Sequence, residues 1–158
     1  MIDFVLARVL HVLAVVLWIG GMAMVTMVLL PATRRLKTAE ERVAFFEQIE
    51  SRFAAQSRIT TLITALSGFY MVYVLHAWYR FGELRYWWMT AMVVVWLIFT
   101  LMLFVLEPLV LHRRLVERAR HDPAGTFALI HGLHWFLLII SLITIAGAVA
   151  GSHGWLWF

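Results

Sequence analysis

Three of the seven histidines, His11, His76 and His134, stand inside apolar runs long enough to cross a membrane. An ionisable side chain at that depth is costly and is usually kept for a partner or a task, and neutral imidazole is the commonest metal ligand among side chains. If the first run enters from outside and the second leaves toward outside, His11 and His76 share one half of the membrane. At about 1.5 Å per residue, His11 lies on the order of 10 Å inside its helix start and His76 about 5 Å from its helix end. Arg8 precedes His11 by three residues and Arg80 follows His76 by four, so each arginine sits one turn nearer the surface on the same face. Two imidazoles below two guanidiniums make a cradle for haem b, the imidazoles on the iron and the guanidiniums on the propionates. The plainer reading is that each histidine bonds a helix carbonyl or hydroxyl and ties the bundle together.

On the other half of the membrane, His131 and His134 share a face of the last run. They are candidates for a second haem or metal centre, with Met24 or Met27 as the opposing ligand. Thioethers are soft and suit Cu(I), so a copper site at His11, His76, Met24 and Met27 is the alternative to haem. Met22 and Met24 point about 200° apart on a helix, which favours ordinary packing or lipid contact for these methionines. His112 and His121 read as solvated, and Glu107 beside Pro108 as an interfacial residue next to a kink.

The elements that must position these groups follow from composition. Apolar residues make up 63% of the 158, and the mean hydropathy is +0.87, well beyond a soluble domain. Four runs near the roughly 20 residues a spanning helix needs cover about 4–30, 59–79, 86–106 and 127–150. The expected fold is all-α, a single transmembrane domain built as an antiparallel four-helix bundle, since in lipid each backbone polar group must be satisfied within its own helix. Absence of cysteine excludes thiolate and iron–sulfur sites. Arg34, Arg35, Lys37, Arg42, Arg52 and Arg58 crowd the first loop and Arg113, Arg114, Arg118 and Arg120 the third, against Arg8, Arg80 and Arg85 on the other side. The positive-inside rule then puts both termini outside, in the periplasm of a bacterial inner membrane. This bias accounts for the net charge of +4, so lipid rather than nucleic acid is the expected surroundings. Trp78, Trp87, Trp88, Trp155 and Trp157 would form an aromatic belt at the outer interface. Thr38 with Glu41 fits a capping box before an amphipathic helix over about 39–57, and Asp122-Pro123 marks the start of the last helix. Gly147 and Gly151 form a GxxxG that could seat a second copy of the chain.

The segment His11-Val-Leu-Ala-Val-Val-Leu-Trp18-Ile-Gly20-Gly21 resembles the first-helix signature of the CopD-like superfamily of small membrane proteins. That group includes the copper-resistance protein CopD and the HemJ-like protoporphyrinogen oxidases. Glu50-Ser51-Arg52-Phe53 and Ser67-Gly68 are also similar to it. The resemblance implies a four-helix membrane bundle in which the residue matching His11 is a haem ligand in the HemJ branch and a metal or haem residue in the CopD branch. HemJ-like chains carry a lysine in the third span, where this chain reads Trp87-Trp88-Met89-Thr90 and has no lysine past Lys37. Protoporphyrinogen oxidation therefore ranks third. The expected function is redox chemistry or electron transfer by haem b, with a quinol or a periplasmic redox partner; copper transport is the alternative.

Overall fold

The computed structural model describes residues 2–33, 38–111, 117–118 and 121–155, and every regular element among them is helical. Helix α1 (Ile2–Met24) continues through a π-turn (Val25–Leu29) into a last α-turn (Leu30–Thr33). Helix α2 (Ala39–Val74) merges the expected amphipathic helix and second span into one rod of 36 residues, about 54 Å long. Two 3₁₀ turns, Ala77–Gly82 and Leu84–Tyr86, lead to α3 (Trp87–Leu101), which runs on as a π-helix (Met102–Leu111). Helix α4 is Pro123–Ser152.

Local chemistry explains the ends. The Glu41 N–H donates to Thr38 Oγ1 at 3.1 Å while the Thr38 N–H donates to Glu41 Oε2 at 3.2 Å, a complete capping box. Asp122 Oδ1 accepts from the Gly125 N–H at 2.9 Å, and Pro123 fills the first turn, where its missing N–H costs nothing. Both π stretches accompany a proline, Pro31 just past the first and Pro108 within the second. A proline removes a helical N–H and clashes with the carbonyl one turn back, and a widened turn relieves that clash.

Three stretches, Ile2–Thr33, Leu84–Glu107 and Pro123–Ser152, are long and apolar enough to cross a membrane. Helix α2 is not among them, because it carries Ser57, Thr60, Thr61, Thr64 and Ser67 on one buried face. The side chains turned outward are apolar on every side: Leu6, Leu10, Leu13 and Leu17 on α1, Ile59, Leu62 and Leu66 on α2, and Phe136, Ile139 and Ile143 on α4. Water would penalise such a surface and lipid would not, which marks a membrane protein.

Packing runs in two pairs, α1 on α2 and α3 on α4, with α4 also touching α1 and α2. The centre holds Trp18, Met22, Phe99, Leu137 and Leu138, with Trp18 set edge-on to Phe99 at a ring separation of 4.8 Å. Glycines make the close approaches: Phe53 of α2 lies over Gly21, the Trp87 ring over Gly147 and the Trp88 ring over Gly151. This corrects two expectations. The Gly147/Gly151 surface is filled by the chain's own indoles and offers no seat for a second copy. Trp88 is buried and Trp87 half-buried, so neither is a plain interfacial anchor. Trp78 and Trp155 are exposed as a belt requires, and Trp157 lies outside the described residues.

Candidate functional site

His11 lies on the face of α1 that meets α2, half-buried. Its Nδ1 is 2.9 Å from the Thr64 carbonyl oxygen and 3.2 Å from Ser67 Oγ. A carbonyl oxygen can only accept, so Nδ1 must carry the hydrogen, and in the neutral ring Nε2 must hold the free lone pair. Ser67 fits this assignment, because its own proton is directed to the Ile63 carbonyl at 2.5 Å, leaving its oxygen to accept from His11. Opposite the imidazole is Gly68; a methyl there would stand 3.0 Å from the ring's Cε1. Orientation, tautomer and proximity to α2 are thus all fixed by three residues in one turn of α2.

The other members of the expected cradle are elsewhere. His76 lies beyond the end of the helix: α2 ends at Val74, and His76 is an exposed residue at φ +50°, in the left-handed conformation that closes helices. The helix from Gly68 to Val74 alone separates it from the level of His11 by about 9 Å. Arg8 is exposed and lines a shallow apolar groove with Phe4, Val5 and Val12, all of them on α1. The Arg80 guanidinium lies over the rings of Tyr86 and Tyr79, 5.1 and 5.8 Å from their centroids, and it is held there by cation–π attraction. The matched pair of histidines under matched arginines is therefore not assembled.

Because His76 holds a backbone conformation that a Cβ disfavours, His76→Gly should raise stability by about 0.5–1 kcal/mol. Unfolding in detergent measures this; a clear loss of stability would mean that the imidazole itself does structural work.

On α4, His134 Nδ1 donates to the Ile130 carbonyl at 2.9 Å, and His131 Nε2 accepts from the Trp135 indole N–H at 3.0 Å. The expected opposing ligands, Met24 and Met27, face outward and are exposed, as long flexible apolar side chains in lipid can be. Among the described residues no three His, Cys, Asp or Glu side chains stand together as a metal site. His112 lies outside the described residues and His121 is exposed.

Two features were missed in the sequence. Arg58, counted there as a loop charge, donates from Nη2 to Glu107 Oε2 at 2.8 Å and from Nε to the Leu103 carbonyl at 3.1 Å. The second bond has a cause: in the π-helix the partner of Leu103 would be the N–H five residues on, and Pro108 has none. Glu107 is accordingly an ion-pair partner and not merely an interfacial residue. The other feature is the hydroxyl face of α2, whose signal was available in the three- and four-residue spacing of Ser57, Thr60, Thr61, Thr64 and Ser67.

No family model, curated protein or solved structure matches this chain.

Proposed function

We propose that this chain is a b-type haem protein of the membrane that moves electrons, in which Nε2 of His11 would hold the haem iron. The observation that carries the reading is the fixed Nδ1 of His11: metal-binding histidines typically donate their other ring N–H to a carbonyl or carboxylate, which sets the tautomer and raises ligand basicity. The fit to haem is limited to this side chain. The imidazole closes directly on Gly68, so no room for a flat macrocycle is left between α1 and α2 at that point, and of the residues in the expected cradle only His11 would hold the group. His76, Arg8 and Arg80 have no part in it. Bound there, haem would supply a one-electron iron couple. Thr64 and Ser67 keep the ring from turning, and the apolar flanks of α1 exclude water.

The topology proposed with this function has four spans. Helix α2 supplies the fourth, because its hydroxyls face the bundle and Ile59, Leu62 and Leu66 face outward. The basic residues of the first and third loops then lie in the cytoplasm of a bacterial cell, with both termini in the periplasm. The resemblance of the segment around His11 to the CopD-like group supports the four-span layout and the role of His11. Copper transport is less favoured, since Met24 and Met27 face away from His11.

The test is the absorption spectrum of protein purified from a haem-replete host, oxidised and dithionite-reduced, with a pyridine haemochrome assay and copper analysis. The expected result is a b-type spectrum that His11→Ala abolishes and His76→Ala leaves intact. A colourless, copper-containing protein would replace haem with copper, and a colourless, metal-free one would return His11 to a purely structural bond.

A further inference from the structure

Ser57, Thr61 and Trp18 are only 1%, 0% and 4% exposed, yet among the described residues Ser57 Oγ, Thr61 Oγ1 and Trp18 Nε1 have no hydrogen-bond partner. The buried Oγ1 of Thr100 has none either. Helical hydroxyls ordinarily avoid this by donating to the carbonyl one turn back. Thr26, Thr64, Ser141 and Thr144 do so here, at 2.7–2.8 Å. Ser57, Thr61 and Thr100 instead leave their hydroxyls in the interior.

The four orphans belong to one layer. The Trp96 indole donates to the Thr61 carbonyl at 3.2 Å, which sets α3 against α2 at this level, and Thr100 follows Trp96 by one turn. Trp18 meets Phe99, the neighbour of Thr100, and Ser57 stands one turn from Thr61 on the same α2 face. Arg58 and Glu107 adjoin the layer, their side chains 34% and 28% exposed. In the other direction, Thr64 is one turn from Thr61 and holds His11.

The chemistry of the set selects its ligand. An indole N–H only donates, so a cation is unsuited, while hydroxyls both donate and accept. Water, with two donors and two acceptors, satisfies such a mixture and commonly occupies buried polar sites of this kind. We infer that this layer is a water-binding half-channel, filled past the Arg58–Glu107 pair and ending one turn short of the Thr64 carbonyl. It needs no cofactor and stands apart from the haem assignment.

The chain has no cysteine, so single thiols can report hydration directly. Ser57→Cys and Thr61→Cys would be placed one at a time in sided membrane vesicles, with Ser141→Cys as a buried, internally bonded control. Aqueous Ag⁺ is the probe, and thiols left free are counted with N-ethylmaleimide after denaturation. Silver added from the side that carries Arg58 and Glu107 should cap the first two thiols at least tenfold faster than the control, and faster than silver added from the opposite side. Equal rates for all three thiols would overturn the inference. Thr61→Val supplies a second measurement: loss of a hydrated hydroxyl lowers the melting temperature, whereas a rise would show a dry, strained layer and count against water.

Discussion

Arg58→Ala should be among the most damaging single substitutions in this chain, lowering stability by about 2–4 kcal/mol. The expectation has two sources. Removing one member of a buried ion pair costs about 3–5 kcal/mol because the other charge is left uncompensated. That range is reduced here because the Arg58 and Glu107 side chains are 34% and 28% exposed and Glu107 keeps some contact with water. The Leu103 carbonyl, which Pro108 leaves without its helical donor, loses its replacement as well, at about 1–3 kcal/mol for an unsatisfied group. Arg58→Lys separates the two parts: an ammonium can meet Glu107, but the fork that reaches both carboxylate and carbonyl is gone, so an intermediate loss is expected. Denaturant unfolding of the three proteins in one detergent measures this, and an Arg58→Ala protein as stable as wild type would show that solvent already satisfies both groups.

Gly151→Leu should have an effect of similar size by an unrelated route. The Trp88 ring occupies the space a side chain at Gly151 would take, and Trp87 does the same at Gly147. Indoles are flat and stiff, and Trp88 is itself buried, so a side chain at Gly151 has to push α4 off α3. Overpacking a well-filled core costs about 1–3 kcal/mol, and a branched four-carbon side chain at a glycine contact belongs at the upper end. Trp88→Ala opens a cavity and should cost about 3–5 kcal/mol alone. The double variant should lose less than the sum of the two, since each change makes room for the other. Additive losses would place the Trp88 ring away from Gly151. Oligomeric state should not respond to Gly151→Leu, because this glycine surface is already used within the chain.

These two sites also show what could and could not be read from residue order. Helix starts were legible at Thr38 and Asp122 because a cap is a local arrangement of a side chain and the next few N–H groups. The hydroxyl face of α2 was equally open to reading, since its spacing matches a helix. His76 was not: one residue in the left-handed region separates the end of a helix from its continuation, and nothing in Val74-Leu75-His76-Ala77 signals the change in the way a glycine would. Equal depth for His11 and His76 followed from placing both in spans, and it failed with that boundary. Arg58 was grouped with loop charges because its partners are about 45 residues away and one of them, the Leu103 carbonyl, becomes available only through a π-helix. The facing of Gly147 and Gly151 depends on how α4 is rotated, which a GxxxG spacing leaves open.

The role of His11 is tested most directly by His11→Gly with and without added imidazole. If Nε2 of His11 holds the haem iron, the variant should lose the b-type spectrum and regain it as imidazole enters the space the ring vacated, while 2-methylimidazole, hindered beside its donor nitrogen, restores it poorly. A variant that keeps a wild-type reduced spectrum without imidazole would contradict the assignment and leave His11 as a bond between α1 and the Thr64 carbonyl.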